Sequence, residues 1–301
     1  MAKERIGFIG VGLMGHGMAK NLVEKGHPLT ILGNRNRQPV DDLVKRGARE
    51  VKSPAEVAKA SDIVFLCVTD SAVVEKLVKG PHGLKEGAHR GMVIVDCSTA
   101  DPNSTIALAA EMAELGVGYA DAPLGGTPAQ AEEGLLSAMI GADPAVFERI
   151  KPVCALWAGT KVVHLGPVGD GHKVKLLNNF LAMGYAAIYA EALTLGKHVG
   201  ISPQTFDSVI RGSRMDCGFY QTFFRYVLER DGNAHQFTLR NAYKDVRYLE
   251  DMAQAVPLPN PVGNAVKNFY AAAVAAGKGD DYVPTISDFV AGQSGVKLTA
   301  K

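Results

Sequence analysis

Cysteine is scarce in this chain, and its placement excludes more than its number does. Cys67, Cys97, Cys154 and Cys217 are the four among 301 residues, and none forms a CxxC pair. Neither a disulfide framework nor a zinc ribbon is indicated, and a reducing cytoplasm is the expected location. The eight histidines show no HxxxH or HExxH spacing, and no aspartate-rich calcium loop is present. No metal site is therefore expected. Charge of one sign is also lacking: 32 basic side chains stand against 31 acidic ones, a net +1. That balance provides no basic field for a polyanion, so nucleic acid is not an expected partner.

Long uninterrupted apolar runs are missing as well. Glycines break MAKERIGFIG at once, leaving no h-region for a signal peptide. Residues 176–195 approach bilayer length but contain Asn178, Asn179 and Glu191. Those groups are costly in lipid, so a buried core helix is expected there and no membrane association. What the chain does have is 47% hydrophobic residues, enough for a substantial core in two domains or one large one.

The first half alternates short β-branched runs with helical stretches. RIGFIG, LTILG, DIVFLCV, MVIVDCS, GYADAPL, LSAMIGA and VVHLG read as strands. That alternation predicts an α/β fold with a doubly wound parallel sheet, its strands covered on both faces. After about residue 166 the strand signals stop and helical periods continue to the C-terminus. The expected domains are a nucleotide-binding Rossmann domain over 1–166 and an all-α domain over 167–301, joined by a long helix. AVPLPNP, residues 255–261, breaks one helix from the next.

Gly10, Gly12 and Gly15 form GxGxxG between a strand and a helical pattern, with Leu13 and Met14 inside the loop. The first glycine permits the tight turn, the second lets backbone approach a pyrophosphate, and the third lets helix pack on strand. Free N–H groups and the helix dipole then hold the phosphate. About 20 residues on, an NAD-binding chain presents an acid to the ribose hydroxyl. Here Asn34 and Arg35 stand there, with Arg37 close by. An arginine pairs with a 2'-phosphate, so NADP is expected, with NAD possible. The competing reading of these charges is a solvated basic loop.

Lys175 sits in GDGHKVKLLNN ahead of the long apolar run. For a helix beginning near Val168, Gly171, Lys175 and Asn179 fall at i, i+4 and i+8 on one face. That face offers a gap, an ammonium and an amide. A lone lysine of this kind can snorkel to water. Beside a nicotinamide it can instead protonate an alkoxide as hydride arrives.

Five blocks together resemble the β-hydroxyacid dehydrogenase family: GFIGVGLMG, DCSTADP at 96–102, DAPLGGTPAQAEEG at 121–134, GDGHKVKLLNN at 169–179 and FTLRNAYKD at 237–245. The family includes 3-hydroxyisobutyrate dehydrogenase and tartronate semialdehyde reductase. The blocks cover nearly the whole chain in the family's order. The resemblance implies that Lys175 is the catalytic acid/base and that Asn179, with Asn178 beside it, binds substrate. It implies that Thr99 meets the nicotinamide ribose region, that Ser98 lies near the substrate, and that Val68 and Thr69 pass under the cofactor. Lys244 would approach the cofactor from the helical domain, although Arg240, Lys244 and Arg247 also read as an ordinary basic stripe. A homodimer or tetramer is implied too.

The substrate loop departs from the family's DAPVSGG. It reads DAPLGGT, with Gly125 in place of the serine and Thr127 in place of the second glycine. The backbone donors of Gly125, Gly126 and Thr127 are expected to form an anion nest. DxPxGxT, GxGxxVKLxNN and AAGKGDDYVPTI are more similar to the sulfolactaldehyde reductase branch. That branch carries an arginine at the position of Gly126, which a glycine cannot replace.

The expectation is thus an NADP(H)-dependent oxidoreductase interconverting a small β-hydroxyacid, or ω-hydroxy acid, with its semialdehyde. Alternatives are a sulfolactaldehyde or phosphonate-aldehyde reductase, an imine reductase-like enzyme, and an inactive cofactor-binding module like the chromatin-associated relatives. Lys175 argues against the last two. The aromatic segment 215–229, MDCGFYQTFFRYVLE, reads as either an interface or a substrate lid.

Overall fold

Strand β1, Ile6–Ile9, is buried along its whole length. Its side chains alternate between two cores. Phe8 packs in one with Met18, Phe65 and Trp157, and Ile9 in the other with Val64, Leu66 and Ile94. Both faces are covered, so such strands read as continuous apolar runs. The structure is a computed structural model and describes residues 3–298.

Among the described residues β1 is joined in one sheet by β2 (Leu29–Leu32), β3 (Arg49–Val51), β4 (Ile63–Leu66), β5 (Val93–Asp96), β6 (Gly118–Asp121), β7 (Leu124–Gly125), β8 (Ser137–Ala142) and β9 (Val162–Gly166). The order is β3-β2-β1-β4-β5-β6-β8-β7, with β9 also on β8. From β3 to β6 all pairs are parallel. The chain winds outward from β1 to β3, then returns to lay β4 on the other side of β1. That reversal makes a crevice beyond the carboxyl ends of β1 and β4, the place where open α/β sheets take ligands.

The doubly wound parallel sheet expected from the sequence is present, and its far edge is mixed. There β8 runs antiparallel to β6 and β7, and β9 runs parallel to β8. The cause is the short link between β7 and β8. Its one helix, Pro128–Glu133, has six residues, too few to carry the chain back along the sheet for a parallel crossover.

The chain divides into two compact units, Met1–Lys175 and Leu176–Lys301. The division falls inside one helix, Asp170–His198. The second unit is helical: after that helix come Pro203–Ile210, Gly218–Glu229, Leu239–Gln254, Pro261–Ala273 and Ile286–Gln293. Pro261 opens its helix at the first position, with Asn260 as cap. The aromatic segment read as interface or lid turns one face into the core: Tyr220, Phe223, Phe224 and Val227 are buried with Leu239 and Tyr270. The ring of Tyr189 lies 5.4 Å from both Tyr220 and Phe223. Among the described residues no helix is long and apolar enough to cross a membrane.

Candidate active site

The turn after β1 is built on glycine for steric reasons. Gly10 has φ +100°, and a Cβ there would lie 2.2 Å from the Cys67 carbonyl oxygen. A Cβ on Gly15 would lie 2.0 Å from the Gly10 carbonyl oxygen. Gly12, by contrast, faces open space, with nothing within 4 Å of its missing Cβ. The first and third glycines close the turn, and the second leaves room for a pyrophosphate. This cradle fits a dinucleotide. Leu13 is exposed beside it, and Met14 packs on the core.

The cradle opens into a cleft of about 970 Å³, lined by Gly12, Leu13, His16, Asn36, Asp41 and Glu132 among others. His16 spans it: Nδ1 meets Glu132 Oε1 at 2.6 Å and Nε2 meets Asp42 Oδ2 at 3.0 Å. Hydrogen bonds from Arg46 and then His16 hold the Asp42 carboxyl down at about 2. The sequence reading did not single out His16. Nothing local signals it, because its partners are 26 and 116 residues away.

After β2, Asn34 Oδ1 accepts the Arg35 N–H at 2.8 Å. Asn36 caps the next helix, Arg37–Lys45, by accepting from Gln38 N. Arg35 is exposed. Arg37 pairs with Glu50 and Asp41.

The ends of β4 and β5 are stitched together. Val68 N–H donates to Ser98 Oγ at 3.0 Å, and Ser98 N–H donates to Asp96 Oδ1 at 2.9 Å. Thr69 Oγ1 donates to Asp70 Oδ2 at 3.0 Å, and Asp70 caps the following helix through Val73 N–H. Thr99 follows Ser98 and is half-buried. Cys67 and Cys97 neighbour this stitch, and burial pushes the Cys67 thiol up to about 12, so it stays an inert thiol at neutral pH.

The loop after β7 differs from the expected anion nest. Gly125 pairs with Ser137 across the β7–β8 ladder. Thr127 N–H donates to Gln130 Oε1 at 2.9 Å, and Gln130 N–H donates back to Thr127 Oγ1 at 3.3 Å. This is a capping box for helix Pro128–Glu133. It corrects the reading of Thr127 as a free backbone donor. Gly126, at φ +128°, is exposed, as is Thr127, whereas Gly125 is half-buried.

Lys175 lies in the second turn of helix Asp170–His198 and is half-buried. The first turn of that helix is held by Asp121, from the end of β6. Its Oδ1 accepts Gly169 N–H at 2.6 Å and its Oδ2 accepts His172 N–H at 2.7 Å. A carboxylate suits the positive end of a helix. Burial pushes the Asp121 carboxyl up, against the opposing pull of His172 and these two N–H groups. The gap expected at Gly171 is filled by packing: a Cβ there would lie 2.4 Å from the Met139 carbonyl oxygen and 2.7 Å from Asp121 Oδ2.

In the helical unit, Asn179 is buried and its Nδ2 donates to Asp245 Oδ2 at 2.6 Å. Lys244 Nζ lies 3.2 Å from Asp245 Oδ1 and 5.5 Å from the Tyr248 ring centroid. Lys244 thus differs from Arg240, which is mostly exposed and pairs with Asp280. Asn178 is exposed. Asp245 closes the FTLRNAYKD block, but the sequence reading did not single it out. Among the described residues no group of three His, Cys, Asp or Glu side chains could hold a metal.

Residues 5–166 match the family described as the NAD binding domain of 6-phosphogluconate dehydrogenase. Residues 169–287 match the NAD-binding family of NADP-dependent 3-hydroxyisobutyrate dehydrogenase. The chain is 36% identical to 2-(hydroxymethyl)glutarate dehydrogenase of Eubacterium barkeri over 259 residues, 85% of each chain. It is 32% identical to cytokine-like nuclear factor N-PAC of Homo sapiens over 279 residues, 92% of this chain but 50% of that protein. It is 31% identical to 3-sulfolactaldehyde reductase of Escherichia coli K12 over 274 residues, 91% of each chain.

Proposed function

The chain belongs to the β-hydroxyacid dehydrogenase family, and from that premise we propose that it interconverts a small anionic semialdehyde and its hydroxyacid with NADP(H). The observation that carries the proposal is the seating of Lys175. The helix that bears it is held at its start by Asp121 and starts beside the Ser98 segment, which supports reading the Lys175 amine as part of the site rather than of a solvated face.

NADPH, when bound, supplies the hydride. The glycine cradle at Gly10, Gly12 and Gly15 is the support for its pyrophosphate, with Leu13 and Met14 in the same turn. Asn34 and Arg35 are the candidates for its 2'-phosphate. Val68, Thr69 and Thr99 are the candidates for its nicotinamide half, and Lys244 is a further cofactor contact given by the resemblance. Lys175 donates a proton to the carbonyl oxygen as negative charge develops there, and in the oxidative direction it takes the hydroxyl proton. Ser98 Oγ already accepts from Val68 N–H, which leaves its own hydrogen for the substrate. Gly125 and Gly126 are the candidates for the acid group, with Thr127 reduced to shaping the loop. Asn178 and Asn179 keep the substrate-binding roles the resemblance gives them.

A carboxylate head group is favoured over a sulfonate. Gly126 brings no cationic side chain, and the carboxylate-named relative is 36% identical against 31% for the sulfolactaldehyde reductase. We also propose a homo-oligomer. Leu177, Leu181, Ile188, Leu195 and Val199 are all at least half exposed on one helix or its end, a spacing that makes one apolar stripe.

The test is consumption of NADPH and NADH by wild type and Lys175→Ala against succinic, tartronic and methylmalonic semialdehydes, sulfolactaldehyde and a phosphonate aldehyde. Loss of a general acid is expected to lower kcat by about 10²–10⁴-fold while NADPH still binds. Cofactor binding with no reduction of any aldehyde would instead identify a binding module or another substrate class.

A further inference from the structure

His172 is wholly buried, yet nothing in the chemistry above uses it. A buried imidazole must be paired, and an apolar side chain would fill the same space without that requirement. Its pairing is specific. Nε2 lies 3.0 Å from the Ser98 carbonyl oxygen, and Nδ1 lies 2.8 Å from Thr105 Oγ1. A carbonyl oxygen only accepts, so Nε2 carries the hydrogen. The Asp121 carboxylate is 3.9 Å from Nδ1.

Ser98 is thereby held at three atoms by three different elements. Its N–H goes to Asp96 at the end of β5, its Oγ accepts from Val68 after β4, and its carbonyl accepts from His172. The first turn of the Lys175 helix is fixed to β6 through Asp121 and lies against β8 at Gly171. The His172 contact carries that turn to the Ser98 segment. Lys175 follows His172 by three residues, one turn along the same face.

We propose that His172 is a positioning residue, which fixes the Lys175 helix to the Ser98 backbone and so sets the distance between the proton donor and the loop beneath the substrate. The proposal rests on the reading of Lys175 as acid/base. Displacement of a reacting group by on the order of 1 Å costs about 100-fold in rate, so a lost tether appears in kcat before it appears in binding.

The experiment compares wild type, His172→Leu and His172→Gln by steady-state kinetics on the aldehyde that wild type reduces best. Amide hydrogen exchange across residues 97–105 is followed in the same proteins. The leucine variant is expected to lose about 10- to 100-fold in kcat, with KM for aldehyde and NADPH little changed. Glutamine, whose side-chain N–H can still reach the Ser98 carbonyl, is expected to recover most of that loss. Exchange at Ser98 and Thr99 is expected to quicken by about tenfold in the leucine variant and to return with glutamine. A folded leucine variant with wild-type kcat and unchanged exchange overturns the proposal. So does a glutamine variant no better than leucine.

If leucine prevents folding, His172→Asn replaces it, because its shorter side chain cannot span the gap. Asparagine and glutamine variants that behave alike then overturn the tether. If wild type reduces no aldehyde, the proposed function fails on its own. The exchange data then decide the tether: quickened exchange supports it and unchanged exchange overturns it.

Discussion

Arg37 grips Glu50 with both guanidinium nitrogens, Nη1 to Oε1 at 2.6 Å and Nη2 to Oε2 at 2.8 Å, and its Nη2 also reaches Asp41 at 3.0 Å. The hydrogen bonds that Arg37 donates to Glu50 and Asp41 push its pKa further up. Both forks of this arginine are therefore occupied within the protein. Asn36 is likewise engaged as a helix cap. Of Arg35 and Arg37, Arg35 is therefore the one we propose to meet a 2'-phosphate.

Cofactor preference should follow that division. Arg35→Asp is expected to shift the NADPH to NADH ratio of kcat/KM by about 10- to 100-fold toward NADH. This corresponds to a charge-assisted hydrogen bond of roughly 1.5–3 kcal/mol. Arg37→Ala should leave the ratio nearly unchanged. If Arg37→Ala is the variant that abolishes the preference, the phosphate site is at Arg37 and the Glu50 pair opens on binding.

The Asp42 carboxyl gives a pH prediction. In the folded chain it stands at about 2, against an ordinary value of 3.8, because Arg46 and then His16 hydrogen-bond to the charged form. The folded value is depressed, so the contribution is present above 3.8 and is lost as pH falls toward 2. A carbon-detected carboxyl titration should find Asp42 still ionised at pH 3. Arg46→Ala should raise its midpoint toward 3.8. A wild-type midpoint near 3.8 would mean that the Arg46 and His16 contacts are absent in solution.

Much of this arrangement could be read from the chain, and the exceptions have physical causes. Most of the seven strand runs appear because both sheet faces are buried there, but β3, Arg49–Val51, escaped notice. It is three residues long, and two of them are exposed and charged. The antiparallel edge could not be read, since periodicity reports strands and not their direction. Thr127 was legible and overlooked: TPAQ has the spacing of a capping box, which commits its donors to the helix that follows. Asp121 and His172 stood inside quoted motif blocks, but their contact joins residues 51 apart. Only the folded sheet brings them together. The aromatic stretch at 215–229 looked like surface until its helical period put Tyr220, Phe223, Phe224 and Val227 on one buried face.

The exposed stripe on helix Asp170–His198 predicts the oligomeric state. Leu181 and Ile188 are 57% and 61% exposed and sit two turns apart on one face. Leu181→Asp combined with Ile188→Asp should place charge at the centre of a subunit contact. Central anchors are worth about 2 kcal/mol or more each, so the double variant should sediment as a monomer where wild type is a dimer or larger. A monomeric wild type at micromolar concentration would show that the stripe does not meet a second copy.

Two glycines on that same helix should respond in opposite directions to one methyl group. At Gly171 an added Cβ would lie 2.4 Å from the Met139 carbonyl oxygen and 2.7 Å from Asp121 Oδ2. Both are fixed, the first in β8 and the second by its two helix-capping bonds. Overpacking of this kind costs about 1–3 kcal/mol, and it would lift the first turn away from Asp121. At Gly184 the nearest atom to the added Cβ is Val266 Cγ2 at 3.9 Å, an ordinary contact. There alanine removes backbone freedom from the unfolded chain and improves helix propensity, a gain of about 0.5–1 kcal/mol. Urea unfolding should therefore rank Gly184→Ala above wild type and Gly171→Ala below it. Activity in the Gly171 variant should fall further than its stability alone accounts for, because the displaced first turn leads directly into the turn that carries Lys175. Equal stability of the two variants would mean that the helix start is not seated on Asp121 and β8.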